Sequence, residues 1–126
     1  MKRYTSFMFS GILSRLTELR LAFLEAGCGW VPYLISKMEP RMKGLQRPSE
    51  LIAQGRVYFQ CGEELTTRRD LELLGDHCLL WASDFPHEEI VNMAKAVNEF
   101  MSREDIPQES KRRIGSENPK RLYFTT

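Results

Sequence analysis

The sequence predicts an α/β fold in which short parallel strands alternate with helices. Three segments are short, continuous and apolar, as strands covered on both faces usually are: 19–25 (LRLAFLE), 56–61 (RVYFQC) and 78–83 (CLLWAS). Helical patterns separate these segments, and this alternation indicates parallel strands joined by right-handed crossovers. Because three strands alone would leave two bare edges, we interpret the chain as part of a larger sheet or barrel.

Helical periodicity accounts for most of the chain between and after the strands. Four helices are predicted over about 30–38, 65–74, 88–101 and 107–115, followed by a last helical turn over 118–123. Gly115 is predicted to end the helix that starts near Pro107, and Asn118 to cap the turn that Pro119 begins. The linker 43–54 is predicted to be an ordered loop or a short helical turn.

The composition is typical of a soluble globular protein and excludes several classes of partner. Hydrophobic residues make up 42% of the chain and charged residues 28%, which excludes a disordered tail. The net charge of +1 gives no reason to expect a nucleic-acid partner. No apolar run reaches the roughly 18 to 20 residues of a membrane span, and the first residues do not resemble a secretory signal. Three widely spaced cysteines favour reduced thiols in a cytoplasmic protein.

A polar or reactive residue stands at the end of each predicted strand. Glu25 ends the first strand, Cys61 ends the second and Asp84 follows the third. Chemistry in parallel α/β folds gathers at the carboxyl ends of the strands, so these three residues are predicted to share one edge of the sheet. An acid after an apolar run is also typical of any strand that leaves a core. The agreement of the three positions is therefore stronger evidence for a functional edge than any one residue alone.

The segment 79–87 (LLWASDFPH) resembles the closing strand of metal-dependent hydrolases in the amidohydrolase superfamily. It is more closely similar to the amidohydrolase-related group that includes aminocarboxymuconate-semialdehyde decarboxylase. Further segments resemble the same group in the same order: 9–13 (FSGIL), 19–27 (LRLAFLEAG), 30–33 (WVPY), 48–50 (PSE), 58–59 (YF) and 115–123 (GSENPKRLY). The resemblance covers nearly the whole chain, and its specificity lies in the joint occurrence of these segments.

The resemblance implies a TIM (β/α)8 barrel as the parent fold, a domain of about 250 residues. Residues 1–126 would form one partial barrel domain, the C-terminal part with about three β/α units, which are strands six to eight and the C-terminal helices.

The resemblance also implies roles for individual residues. Asp84 would bind a divalent metal, zinc foremost, or exchange a proton with the metal-bound water. Glu25 stands where many relatives carry a catalytic histidine, a difference that affects decarboxylation more than hydrolysis. His87 and Trp30 follow strand ends and are candidates to line the pocket. Helix capping for His87 and core packing for Trp30 are the simpler explanations.

Part of the family's metal site has no counterpart in this sequence. The resemblance implies a His-x-His or Glu-x-His pair on strand one and a histidine from a middle strand, but the histidines here are His77 and His87. His77 precedes the third strand and is expected at the opposite edge of the sheet. Asp84, His87 and Glu25 offer three ligands, but their spacing resembles no self-contained metal motif.

The sequence therefore predicts the C-terminal segment of a metal-dependent hydrolase or decarboxylase that acts on a small carbonyl- or carboxylate-bearing substrate and is incomplete as a catalyst alone. The alternative is a non-catalytic remnant that serves as a binding or assembly module. Apolar residues of the sheet are expected to be half covered, namely Leu21, Phe23, Val57 and Phe59. Exposed apolar surface and unpaired strand edges favour association, so we expect a homo-oligomer or pairing with a separately encoded barrel half.

Overall fold

A computed structural model of the chain describes residues 1–61, 67–83, 85–86 and 93–124, and these build a three-stranded parallel sheet with helices packed against it. The strands are β1 (Leu21–Phe23), β2 (Val57–Cys61) and β3 (Leu79–Trp81), and they lie in the order β1-β2-β3. Both neighbouring pairs are parallel, with Phe23 opposite Phe59 and Cys61 opposite Trp81. The predicted strands and their direction are confirmed, and each strand is shorter than the apolar segment that predicts it.

Eight α-helices connect and cover the strands in the described part of the chain. They are α1 (Lys2–Phe9), α2 (Ile12–Arg15), α3 (Val31–Met38), α4 (Pro48–Ala53), α5 (Thr67–Leu74), α6 (Met93–Ser102), α7 (Gln108–Arg112) and α8 (Asn118–Tyr123). The predicted helices at 30–38, 65–74 and 88–101 correspond to α3, α5 and α6 within the described residues. The helical turn allowed for in the linker is α4, which has a proline in its first turn.

The C-terminal helices correct two predictions. Gly115 does not end a helix, because a wider π-type turn over Arg113–Glu117 joins α7 directly to α8. Asn118 has helical dihedral angles (φ −64°, ψ −44°) and does not cap α8. Its side-chain amide instead donates to the carbonyl oxygens of Asp76 at 2.6 Å and Leu79 at 2.7 Å. Asn118 thus attaches the C-terminal helices to the start of β3.

The central strand is buried more completely than the sequence suggests. Val57 and Phe59 are fully buried, so the prediction that they are half covered is wrong, whereas Leu21 and Phe23 are half-buried as expected. Phe59 is covered in part by α1, whose Tyr4 ring lies 5.7 Å from the Phe59 ring, centroid to centroid. An aromatic cluster around Tyr4 therefore joins the first helix to the sheet.

Arg56 fastens the N-terminal segment to the sheet. This residue precedes β2 and is 9% exposed. Its guanidinium group donates to three carbonyl oxygens, those of Leu13 at 2.7 Å, Leu16 at 2.6 Å and Leu19 at 3.3 Å. Its own carbonyl oxygen accepts a hydrogen bond from Leu21 N–H at 2.9 Å. Arg56 therefore satisfies carbonyl groups in and just after α2, and it also pairs with the first residue of β1.

The three cysteines are buried thiols outside any disulfide, as expected. Cys28 lies after β1 and donates its thiol hydrogen to the carboxylate of Asp70, with sulfur and oxygen 3.4 Å apart. Cys78 lies at the start of β3, and burial raises the pKa of its thiol from 9.0 to about 12. The Cys78 thiol is therefore protonated in the folded chain near neutral pH.

Replacement of Arg56 is expected to destabilise the fold strongly. Arg56→Met keeps most of the apolar stem but leaves buried carbonyl groups without a donor, so the free energy of unfolding should fall by about 3 kcal/mol. Urea denaturation followed by circular dichroism measures this change. Arg69→Met is the control, since Arg69 is exposed on α5, and it should change the free energy by less than about 0.5 kcal/mol. Equal effects of the two substitutions would contradict the role given to Arg56.

The raised pKa of Cys78 predicts a loss of stability in alkali. Above pH 9 the thiol of the unfolded chain ionises, whereas the folded chain keeps its proton until pH nears 12. The contribution of the Cys78 thiol to the free energy of unfolding is complete below pH 9. Between pH 9 and about 12 the free energy of unfolding falls by about 1.4 kcal/mol per pH unit because of this one proton. Urea midpoints at pH 8, 9 and 10 measure the decline. Cys78→Val should show a shallower decline, and an identical slope in both proteins would refute the assignment.

Candidate functional site

The carboxyl edge of the sheet holds the turn that carries Glu25. One residue, Leu24, separates Glu25 from the end of β1. The backbone N–H of Glu25 donates to the side-chain oxygen of Gln60 at 2.8 Å. Gln60 lies on β2 and is 5% exposed. Because β1 and β2 are parallel, Glu25, just after β1, and Cys61, the last residue of β2, lie at the carboxyl ends of neighbouring strands. The prediction that Glu25 and Cys61 share an edge is therefore confirmed.

Glu25 has an unusual backbone conformation for a residue with a side chain. Its φ is +56°, and it is the one non-glycine residue with a positive φ among those that the structure describes. A left-handed conformation is uncommon outside glycine, asparagine and aspartate and costs on the order of 1 kcal/mol. The bond from Gln60 helps to hold this conformation, which leaves the Glu25 side chain exposed at the edge of the sheet.

Trp30 forms a second hydrogen bond to the turn that carries Glu25. Its indole N–H donates to the carbonyl oxygen of Ala26 at 2.7 Å. Its ring packs edge-on against Tyr4 and Phe59, with centroids 5.2 and 5.8 Å away. Trp30 therefore links the turn to the aromatic cluster of the core, and its contribution to a substrate pocket stays a prediction.

Two of the candidate residues, Asp84 and His87, lie outside the described residues. Their described neighbours belong to the turn after β3, where Phe85 N–H donates to the Ser83 hydroxyl at 3.3 Å. The predicted place of Asp84 beside Glu25 and Cys61, and the roles of Asp84 and His87, stay predictions.

The described residues do not fit a metal centre by themselves. They contain no group of three or more histidine, cysteine, aspartate or glutamate side chains close enough to hold an ion. His77 lies in the turn that leads into β3, at the opposite edge of the sheet from Glu25, as the sequence predicts. Of the metal ligands weighed from the sequence, Glu25 alone is found within the described part of this edge.

Sequence reasoning missed Gln60, although a signal was present. Gln60 carries a polar amide within the buried β2 strand, and a polar group inside an apolar strand usually has a specific partner. Its partner, the backbone of Glu25, is 35 residues away in the chain. The sequence alone contains no indication of that pairing.

No helix among the described residues combines the length and the apolar character that crossing a bilayer requires. A search of curated proteins finds no significant match to the sequence.

The fold is similar to part of several solved enzymes. The structure of 5-carboxyvanillate decarboxylase from Sphingomonas paucimobilis matches with a TM-score of 0.72 and 20% identity, over 97% of this chain and 38% of that one. The 2,6-dihydroxybenzoate decarboxylase from Rhizobium matches with a TM-score of 0.65 and 19% identity, over 91% of this chain and 38% of the enzyme. A 2,6-dihydroxybenzoate decarboxylase complexed with 2,6-dihydroxybenzoate gives a TM-score of 0.67 at 20% identity, over 91% of this chain and 37% of that one.

These matches show an α/β fold that corresponds to a portion of a TIM-barrel enzyme, because the chain spans less than two fifths of each relative. The sequence itself matches the amidohydrolase family model over residues 2–125. The similarity inferred from the strand ends and the C-terminal motif is thereby confirmed, and the chain belongs to the amidohydrolase family.

Proposed function

We propose that this chain supplies the last three β/α units of a metal-dependent amidohydrolase-family barrel that acts on a small carbonyl- or carboxylate-bearing substrate. The observation that carries the proposal is the parallel sheet with Glu25 at its carboxyl edge, in a chain that spans 38% of 5-carboxyvanillate decarboxylase. In barrels of this kind, the carboxyl ends of the strands carry the catalytic groups.

Two reactions suit such a site: attack of water on a carbonyl carbon, and loss of carbon dioxide from a carboxylate. The structural relatives are decarboxylases by name, which supports the second reaction. Glu25 supports the first, since a carboxylate is a poorer proton shuttle near neutral pH than the histidine that the family resemblance leads one to expect. Small aromatic carboxylates are therefore the first substrates to test, followed by amides, esters and lactones.

In this proposal, Asp84 and Glu25 are the acidic groups that face the substrate, and His87 lines the pocket near them. Trp30 positions the turn of Glu25 through its bond to the Ala26 carbonyl. A divalent ion, zinc foremost, lowers the pKa of a bound water to about 7 in such enzymes and is the proposed cofactor of the complete barrel. The described residues do not hold such an ion alone, so the remaining ligands must come from elsewhere in a complete barrel.

The outer strands favour assembly with further strands. Within the described residues, β1 and β3 each pair on one side only, with β2. Large apolar side chains stand exposed next to the carboxyl edge, Leu24 at 47% and Phe85 at 49%. We propose that a second copy, a separately encoded barrel half or the rest of a longer protein covers these edges. Buried thiols outside any disulfide are consistent with a reducing compartment such as the cytoplasm.

The alternative function is a non-catalytic binding or assembly module that keeps the family fold without its chemistry. The metal content of the purified chain, measured by elemental analysis, separates the two. A stoichiometric divalent ion supports the enzyme, whereas a folded chain without metal supports the module.

The 126-residue chain alone is expected to show no turnover above background. The reason is that the strand-one ligands implied by the family resemblance are not among its residues. The measurement is an assay with added zinc or manganese against aromatic carboxylates, amides, esters and lactones. Turnover that disappears in Asp84→Asn but persists in the control Asp105→Asn, a change at a surface aspartate, would show a self-contained site and contradict this expectation.

The chain is expected to associate through its open edge. Light scattering coupled to gel filtration should give a mass above the 14.7 kDa of one chain, or aggregation, because the outer strands expose backbone donors and acceptors. Leu24→Glu should shift the population toward the single chain by placing a charge at the edge. The matched control is Leu73→Glu, which alters a leucine that is 58% exposed on α5 and should have no effect. A clean single-chain mass for the unmodified protein would refute this prediction.

A further inference from the structure

A cavity lies at the amino-terminal edge of the sheet, opposite the turn of Glu25. Its volume is about 350 Å³, and its wall includes Arg20, Gln54, Tyr58, His77 and Arg121. Arg20 precedes β1, His77 precedes β3 and Arg121 belongs to α8. The described wall contains no carboxylate. Side chains that donate hydrogen bonds or carry positive charge therefore surround this space.

The Tyr58 hydroxyl belongs to a buried side chain and contributes to the cavity wall. Tyr58 is 1% exposed. A Cβ atom added to Gly55 would lie 3.2 Å from the Tyr58 hydroxyl oxygen, so the glycine, with a φ of +66°, leaves room for it. Among the residues that the structure describes, this hydroxyl forms no hydrogen bond. The hydroxyl oxygen is open to the cavity and not sealed inside the protein, so it can donate a hydrogen bond to an acceptor bound there.

Two guanidinium groups, those of Arg20 and Arg121, lie close enough to the Tyr58 hydroxyl to affect its pKa. Burial raises the pKa of the Tyr58 phenol above its ordinary value, and the positive charges of Arg20 and Arg121 act in the opposite direction. Neither arginine forms an ion pair with a carboxylate in the described part of the chain. Their charges are therefore available to an anion in the cavity.

Gln54 and His77 add two more donors. The side-chain oxygen of Gln54 accepts a hydrogen bond from Gln46 at 2.9 Å, which leaves the Gln54 amide hydrogens for other acceptors. His77 contributes its ring to the wall of the cavity and lies beside Gly75, whose missing side chain leaves room for that ring. Donors thus reach the cavity from the segments before β1, β2 and β3 as well as from α8.

We propose that this cavity binds a small phosphate-type oxyanion, either inorganic phosphate or the phosphate group of a small ester. Planar guanidinium groups bind two oxygens of such an anion at once, and the phenol and amide groups donate to the others. The site lies at the opposite edge from the proposed active site and is independent of the proposed function. Its occupation ties the segments before the three strands to the C-terminal helix α8.

The test is calorimetric titration of the full chain with inorganic phosphate at constant ionic strength, with glycerol phosphate in a parallel titration to distinguish a free anion from an ester. Arg20→Gln and Arg121→Gln should each weaken phosphate binding about tenfold or more, since each removes a charge-assisted bond. Arg69→Gln removes an equal charge from the exposed surface of α5 and should leave binding unchanged. Phosphate should bind at least tenfold more tightly than acetate.

Tyr58→Phe keeps the test decisive if an arginine variant fails to fold, because it removes only the hydroxyl from a buried ring. It should weaken phosphate binding several-fold while the thermal midpoint without phosphate stays close to that of the unmodified chain. The proposal is overturned if the unmodified chain does not bind phosphate, or if folded Arg20→Gln and Arg121→Gln variants bind as tightly as Arg69→Gln. Equal affinities for acetate and phosphate would also overturn it.

Discussion

The buried positive charge of Arg56, which forms no ion pair with a carboxylate in the described part of the chain, is the interaction on which the rest of the fold depends. The guanidinium group of Arg56 donates to backbone carbonyl oxygens of α2 and of the segment between α2 and β1. The carbonyl group of Leu13 is buried and would otherwise lack a partner, while those of Leu16 and Leu19 are partly buried. The chain therefore reaches β1 in one register, and the pairing of β1 with β2 depends on that register. The position of the Glu25 turn depends in turn on that pairing.

The strands and most helices could be predicted because their signals are local. The segment that becomes β2 is apolar over consecutive positions, and α3 repeats its apolar residues every four positions, so neither needs knowledge of distant partners. The C-terminal helices show the limit of local signals. Asn118 and Pro119 predict the start of a helix. In the structure the Asn118 side-chain amide instead donates to carbonyl groups about 40 residues earlier in the chain. A tertiary contact of this kind overrides the capping preference and lets the helix continue.

The candidate site likewise has one part that the sequence predicts and another that depends on tertiary contacts. The location of Glu25 and Cys61 at one edge follows from parallel strands and could be predicted without the structure. The bond that fixes the Glu25 backbone, from Gln60, could not, because the alternation of side chains along β2 does not say which residue each one meets across the sheet. The full burial of Phe59 was missed for a similar reason, since the covering residue, Tyr4, belongs to a helix that sequence reasoning did not identify.

The aromatic contact between Tyr4 and Trp30 has a dynamic consequence. Trp30 bonds to the Ala26 carbonyl beside Glu25, and Tyr4 belongs to the first helix of the chain. Segments of a protein that open together form one cooperative unit. Here the opening of α1 withdraws the ring against which Trp30 rests and so releases the turn of Glu25. The order of the Glu25 carboxylate at one edge of the sheet is thus linked to the folding of α1, whose residues are about 20 positions earlier in the sequence.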